Sequence, residues 1–376
     1  MDDSKMSKLK TNEMKHVFSM LALLLAVQFT QAQEETSSED QRYQDSIAAL
    51  NASNATSAKS KEAYNQGIAY FEKKQYAEAL KSFTTSVQVD SKFEDAYYNK
   101  GITEIELKKF SDAAQSFGTM INLNPISDRA YAKRAYAYQN SNKFAEAEKD
   151  YEKAISLNSN KADYHYNFGT LKFMQQNYQS AIESFDAAIK LKPSMVYAYN
   201  DKGSCYRMMG EYALAIKQYD EALKKNPNLP FVLNNLGTTK KKMENYEGAI
   251  GDFNRAISID KNFHLAYLNR GVTLMAKNRL DDAIDDFRTC IEVAPNYSAA
   301  YANLAGALFK KEEYQEALKM ANKAIELDPS NATAYVNRGM INEMLRQQDK
   351  ACADWQKAKE LGAEMGERYY SGNCGY

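Results

Sequence analysis

Small and large apolar positions recur along this chain on a 34-residue period, with polar residues filling the intervals. Counted from Ser60, nine units follow without an insertion: 60–93, 94–127, 128–161, 162–195, 196–229, 230–263, 264–297, 298–331 and 332–365. Position 20 is alanine in all nine, from Ala79 to Ala351. Position 8 is glycine in seven units, with Ala135 and Ala305 in the other two. Position 24 is aromatic in eight units, from Phe83 to Trp355, and Ala321 is the exception. Proline stands at position 32 in five units, and the sixth proline, Pro230, opens a unit. This pattern predicts two helices per unit, helix A over roughly positions 2–14 and helix B over roughly positions 15–28. Small residues at positions 8 and 20 let the two backbones approach, and the ring at position 24 fills the space they leave. A proline has no N–H to continue a helix, so helix B ends before it. One hairpin cannot bury its apolar faces alone, so the units must stack on each other.

An aromatic at position 4 (Tyr97, Tyr131, Tyr199, Tyr267, Tyr301, Tyr335) completes a pattern that resembles the tetratricopeptide repeat over residues 60–365. The resemblance implies an all-α fold: a right-handed α-α superhelix, or solenoid, of nine helical hairpins with a short C-terminal capping helix. Residues 363–370 are expected to form that cap, with Ser371-Gly372 stopping it, and 366–376 to make up the cap and tail. Position 11 breaks the pattern: it is tyrosine in three units but Glu104, Lys172, Lys240 and Asn342 in others, which puts the packing of those A helices in question.

The N-terminus is a separate object. Lys5, Lys8, Lys10 and Lys15 precede an apolar run, Val17 to Val27, too short for the about 20 residues a bilayer-spanning helix needs. Thr30-Gln31-Ala32 then offers small residues for signal-peptidase cleavage. Residues 1–32 are therefore read as a signal peptide, starting at Met1 or Met14, and the protein as exported to the periplasm or cell envelope. No integral membrane segment is expected after cleavage. Residues 33–59 read as a polar linker with a short helix around Gln44–Leu50 that caps the array.

Composition narrows the function. The formal net charge is −1, and four lysines and three acids leave with the signal, so no basic field remains to hold nucleic acid. The repeats occupy nearly the whole chain, and no P-loop, HExxH or GxSxG signature occurs, so no catalytic residue and no cofactor is expected. Four cysteines occur without a CxxC, and few histidines accompany them, which argues against a metal site. Cys205 and Cys290 sit where other units carry small or apolar residues and are expected to be buried. Cys352, at a position that faces packed structure in other units, is expected to form a disulfide with Cys374 that fastens the cap. The last repeat, Ala351-Cys352-Ala353-Asp354-Trp355, resembles that of secreted members of the family from Bacteroidetes-type bacteria.

The resemblance also implies where binding occurs: A helices line a concave groove, and positions 2, 5, 6, 9, 12 and 13 meet ligand. Position 6 carries Asn65, Asn99, Asn167, Asn235, Asn269, Asn303 and Asn337, with Lys133 and Asp201 in the two remaining units. A carboxamide both donates to and accepts from a peptide bond, so this ladder suits extended main chain of any sequence. Two readings stand: the amides face ligand, or they serve helix packing. Tyr64, Tyr98 and Tyr166 at position 5 add aromatic surface, and Phe231, Leu265, Leu268, Val272, Met275, Phe309, Val336 and Met340 make the later units apolar. The partners expected are other proteins or extended peptide segments. A scaffold is the leading reading; a recruiting subunit of an envelope enzyme or secretion complex and a self-assembling structural protein are the alternatives.

Overall fold

The computed structural model describes residues 58–374, which divide into two compact units, 58–225 and 226–374. The signal peptide expected over residues 1–32 and the helix expected at Gln44–Leu50 lie outside the described residues. The first unit holds α1 (Ala58–Glu72), α2 (Tyr76–Val89), α3 (Glu94–Glu106), α4 (Phe110–Leu123), α5 (Asp128–Asn140), α6 (Phe144–Leu157), α7 (Ala162–Met174), α8 (Tyr178–Leu191), α9 (Val196–Met208) and α10 (Tyr212–Lys225). The second holds α11 (Pro230–Lys242), α12 (Tyr246–Ile259), α13 (His264–Ala276), α14 (Leu280–Val293), α15 (Ser298–Lys310), α16 (Tyr314–Leu327), α17 (Ala332–Met344), α18 (Gln348–Glu360) and α19 (Glu364–Asn373). No strand occurs among the described residues, so each unit is an all-α stack of hairpins. Odd-numbered helices up to α17 are the A helices and even-numbered helices the B helices.

The packing follows the repeat. All nine position-20 alanines are fully buried, and so is the ring at position 24 wherever one is present. A Cβ placed on any of the seven position-8 glycines would lie 2.3–2.7 Å from that ring, closer than real Cβ atoms come. Ala305 is tolerated at position 8 where Ala321 supplies no ring; fully buried Leu308 and its neighbours fill that core instead.

Helix boundaries differ from the expectation. Typical A helices cover positions 1–13 and B helices positions 17–30, so helix B starts and ends two residues later than the spacing predicts. The reason is position 15, which lies in the left-handed region in all nine units: φ is +57° to +63° at Lys74, Lys108, Asn142, Gln176, Glu244, Asn278, Glu312 and Arg346, and +82° at Gly210. In the first unit the Lys74 N–H donates to Phe71 O at 2.8 Å and the Gln75 N–H to Tyr70 O at 2.9 Å, the paired bonds of a Schellman cap. That cap ends helix A and delays helix B. Only one of the nine residues is glycine, so composition conceals the turn.

The polar residues at position 11 are accommodated rather than disruptive. Glu104 accepts from Ser116 Oγ at 2.7 Å, Lys240 pairs with Asp252 at 2.6 Å, and Asn342 donates to Asp354 at 2.9 Å. Lys172 pairs with Glu148 of the preceding hairpin at 2.5 Å. Position 23 thus answers position 11 in three units. It also answers position 7: Arg134, Arg270 and Arg338 each form a two-pronged ion pair with the nearly buried carboxylates of Asp150, Asp286 and Asp354. Leaving such a carboxylate buried without its cation would cost about 3–5 kcal/mol.

The last helix also runs longer than expected. α19 passes through Ser371-Gly372 to Asn373. Two ties hold it: the Cys352–Cys374 disulfide and a bond from Gln348 Nε2 to Asn373 O at 3.3 Å. Tyr369 stacks on Trp355 with ring centroids 5.3 Å apart, closing the end of the core. Cys205 and Cys290 are free and fully buried.

Candidate functional site

Within each unit successive A helices touch one another, as α3 does α5, α5 does α7, α13 does α15 and α15 does α17. Successive B helices are held further apart. Each stack therefore curves with its A helices on the inner face. The candidate site is that inner face, and the residues expected there can be placed one by one.

The position-6 ladder exists, but much of its hydrogen bonding is spent inside the fold. Asn99 Nδ2 donates to Tyr64 Oη at 2.7 Å, Asn269 Nδ2 to Asn234 Oδ1 at 2.9 Å, and Asn337 Nδ2 to Ala302 O at 2.8 Å. In each case the acceptor is the position-5 residue of the preceding hairpin. Asn303 turns back on its own helix and donates to Ala299 O at 2.8 Å. Asn99, Asn235 and Asn337 are buried, Asn167, Asn269 and Asn303 half-buried, and only Asn65, on the first hairpin, is exposed. Adjacent A helices are offset by one residue, which brings position 6 of one against position 5 of the last.

Asp201 takes the asparagine's place in the fifth hairpin. It accepts from Tyr166 Oη at 2.7 Å and from Asn200 Nδ2 at 2.9 Å. Burial pushes its carboxyl up to about 6, against the pull of those two hydrogen bonds. Tyr64 and Tyr98 are buried and Tyr166 is half-buried. Lys133 is half-buried on α5. Arg129 pairs with Asp95 at 2.6 Å and lies over the Tyr98 ring at 4.7 Å; burial brings its guanidinium down to about 10. Bound in this way, Arg129 is spent on Asp95 and Tyr98 at the inner face.

The apolar residues divide in two. Phe231, Leu265, Leu268 and Val336 are buried and belong to the core. Val272, Met275, Phe309 and Met340, at positions 9 and 12, stay half-exposed on the inner face of the second unit. In the first unit Ile68, Phe71, Ile102, Ile105 and Tyr136 do the same. Ile102, Ile105 and Tyr136 were not among the expected site residues. Their signal lies in positions 9 and 12 taken together across all units, where apolar side chains recur as the amides do at position 6.

Stacked hairpins with a curved inner face and no strand among the described residues define a helical-repeat protein, a class that works by holding other molecules along a surface. The family model of the tetratricopeptide repeat matches residues 64–120, 132–194, 166–230, 234–298 and 268–332, and a second model of the same repeat matches 320–353. The chain belongs to the tetratricopeptide repeat family, and its general role is that of a protein-interaction scaffold. No curated protein sequence matches it. A tetratricopeptide repeat protein from Parabacteroides merdae is similar in structure: 21% identical, covering 65% of this chain and 98% of that one, with a TM-score of 0.55. The C-terminal part of a repeat-containing protein from Cytophaga hutchinsonii is 20% identical, covering 64% and 98%, with a TM-score of 0.50. The Cut9–Hcn1 hetero-tetramer of the APC/C is 14% identical, covering 84% and 76%, with a TM-score of 0.55. At these identities the likeness is one of fold. Among the described residues no helix is long and apolar enough to cross a membrane.

Proposed function

We propose that this protein is a non-catalytic scaffold, exported to the periplasm or cell envelope, that holds extended polypeptide along the inner faces of its hairpin stacks. The observation that carries the groove reading is the row of half-exposed apolar side chains at positions 9 and 12, Val272, Met275, Phe309 and Met340 above all. They offer affinity that the amides do not. A hydrogen bond contributes about 1 kcal/mol net, while ordering each peptide residue costs about 1–2 kcal/mol. Burying a large apolar side chain adds roughly 1.5–3 kcal/mol, so anchors of this kind decide whether an extended segment stays bound. Amides not fully engaged in packing, such as Asn65 and Asn167, then align its main chain. Export is supported by the order of basic, apolar and small residues before Gln33 and by the Cys352–Cys374 disulfide, a bond typical of oxidising compartments.

The test is fluorescence anisotropy with a labelled peptide of alternating valine and serine. Saturable binding is expected. The double variant Met275→Glu, Phe309→Glu should weaken it at least tenfold while the helical circular dichroism stays unchanged. Equal binding by both proteins would remove the groove reading.

A further inference from the structure

A polar cleft of about 500 Å³ opens in the first unit, away from positions 9 and 12, between helix α4, the end of α5 and the start of α6. Its walls carry Ser111, Gln115, Thr119 and Asn122 from α4, with Arg134, Tyr138 and Lys143 opposite. No acidic residue lines it.

Two closures made at other junctions of the array are missing at this one. The first is at position 7. Lys202 reaches back to Asp186 at 2.6 Å, Arg270 Nη1 to Asn254 at 2.6 Å, and Arg338 Nη1 to Asn322 at 2.9 Å. In all three the acceptor stands at position 25 of the preceding hairpin. For Arg134 that position is Gly118, which has no side chain to offer. Asp150 occupies Nε and Nη2 of Arg134, and Nη1 is left aimed at the cleft, 3.6 Å from where a Gly118 Cβ would be. The second closure is at positions 14 and 18, where Lys277 pairs with Glu247 and Lys311 with Asp281. Here the same positions hold Ser141 and Ser111, both too short to bridge.

We infer that this cleft is a binding site for a carboxylate, carried by an acidic side chain of a polypeptide or by a small dicarboxylic acid. The Nη1 that Asp150 leaves over supplies a fixed donor on Arg134, and a hydrogen bond from a guanidinium N–H to a carboxylate is charge-assisted. Lys143 adds a second cation; both cations lie near the Tyr138 ring, Arg134 at 5.7 Å and Lys143 at 5.8 Å from its centroid, which orients them. The hydroxyls of Ser111 and Thr119 and the amides of Gln115 and Asn122 give a polar floor for the remaining oxygens. Nothing in this site belongs to the apolar inner face, so it adds an acidic determinant to whatever the array holds.

The experiment is saturation-transfer NMR on the whole protein with Ac-Gly-Glu-Gly-NH₂, Ac-Gly-Gln-Gly-NH₂ and glutarate as probes. The decisive variant is Gly118→Asn, which restores the partner that Arg270 and Arg338 have. A helical glycine becomes a better helix former, so this variant should melt no lower than the parent. The expected result is a signal from the glutamate peptide that falls at least fivefold in Gly118→Asn and at least twofold in Lys143→Gln, with little signal from the glutamine peptide. A glutarate signal equal to that of the glutamate peptide assigns the site to a free diacid; a clearly weaker one assigns it to a polypeptide side chain. Equal signals from the glutamate and glutamine peptides, or from parent and Gly118→Asn, or none at all, overturn the inference. Gly118→Asn leaves Met275 and Phe309 untouched, so loss here and loss of valine–serine peptide binding are separate failures.

Discussion

A single residue can serve the fold while keeping the appearance of a binding group, and position 6 shows how. Asn99 donates to Tyr64 at 2.7 Å, and Asp201 accepts from Tyr166 at 2.7 Å, with the same two positions in contact and the proton running the other way. Asp201 is the costly version, because its charge is buried and its carboxyl is raised to about 6. A raised carboxyl means that the folded protein holds the proton more tightly than the unfolded chain does. The resulting stability is complete below the unfolded value of 3.8 and is lost as pH climbs through about 6. Asp201→Asn removes that loss, and Tyr166 can accept from the new amide as Tyr64 accepts from Asn99. The variant should match the parent near pH 4 and exceed it near pH 7 by up to about 3 kcal/mol, since each tenfold difference in proton affinity between folded and unfolded chain is worth about 1.4 kcal/mol. Urea unfolding at the two pH values measures the difference.

At the scale of elements, the hairpin is held by contacts that run between fixed positions: glycine 8 under ring 24, and position 23 to position 7 or 11. The last described helix, α19, packs on α18 and α17 alone among the described residues and depends on other ties. α19 buries little beyond Gly366 and is fastened by the Cys352–Cys374 bond across 22 residues. Closing a loop of that length stabilises by about 3 kcal/mol on the chain-entropy account. Cys352→Ser together with Cys374→Ser should therefore loosen α19 first. Hydrogen exchange should rise in 364–373 by tenfold or more, while amides of α15 keep their protection. In a linear array each hairpin contacts only its neighbours, so the loss stays near the end where it is made.

For the whole molecule, the proposed location makes a claim of its own. If residues 1–32 direct export, the envelope form begins at Gln33, and N-terminal sequencing of protein recovered from that fraction will read Gln-Glu-Glu-Thr. The chain's own alphabet was enough to determine the all-α hairpin repeat and its family, because each requirement falls on one residue at a constant spacing: glycine or alanine at position 8, a ring at position 24 in eight units, alanine at position 20. Helix boundaries were less legible. The left-handed turn at position 15 is occupied by Lys, Asn, Gln, Glu or Arg in eight units and by Gly210 in one, so only backbone geometry shows where helix B begins throughout. The candidate site was legible as a set of positions and not as a set of free groups. Whether Asn337 faces a ligand or Ala302 O depends on the distance to the next A helix, and whether Arg134 is satisfied depends on a glycine on the hairpin before it. Those are relations between residues brought together by stacking, and stacking alone decided them.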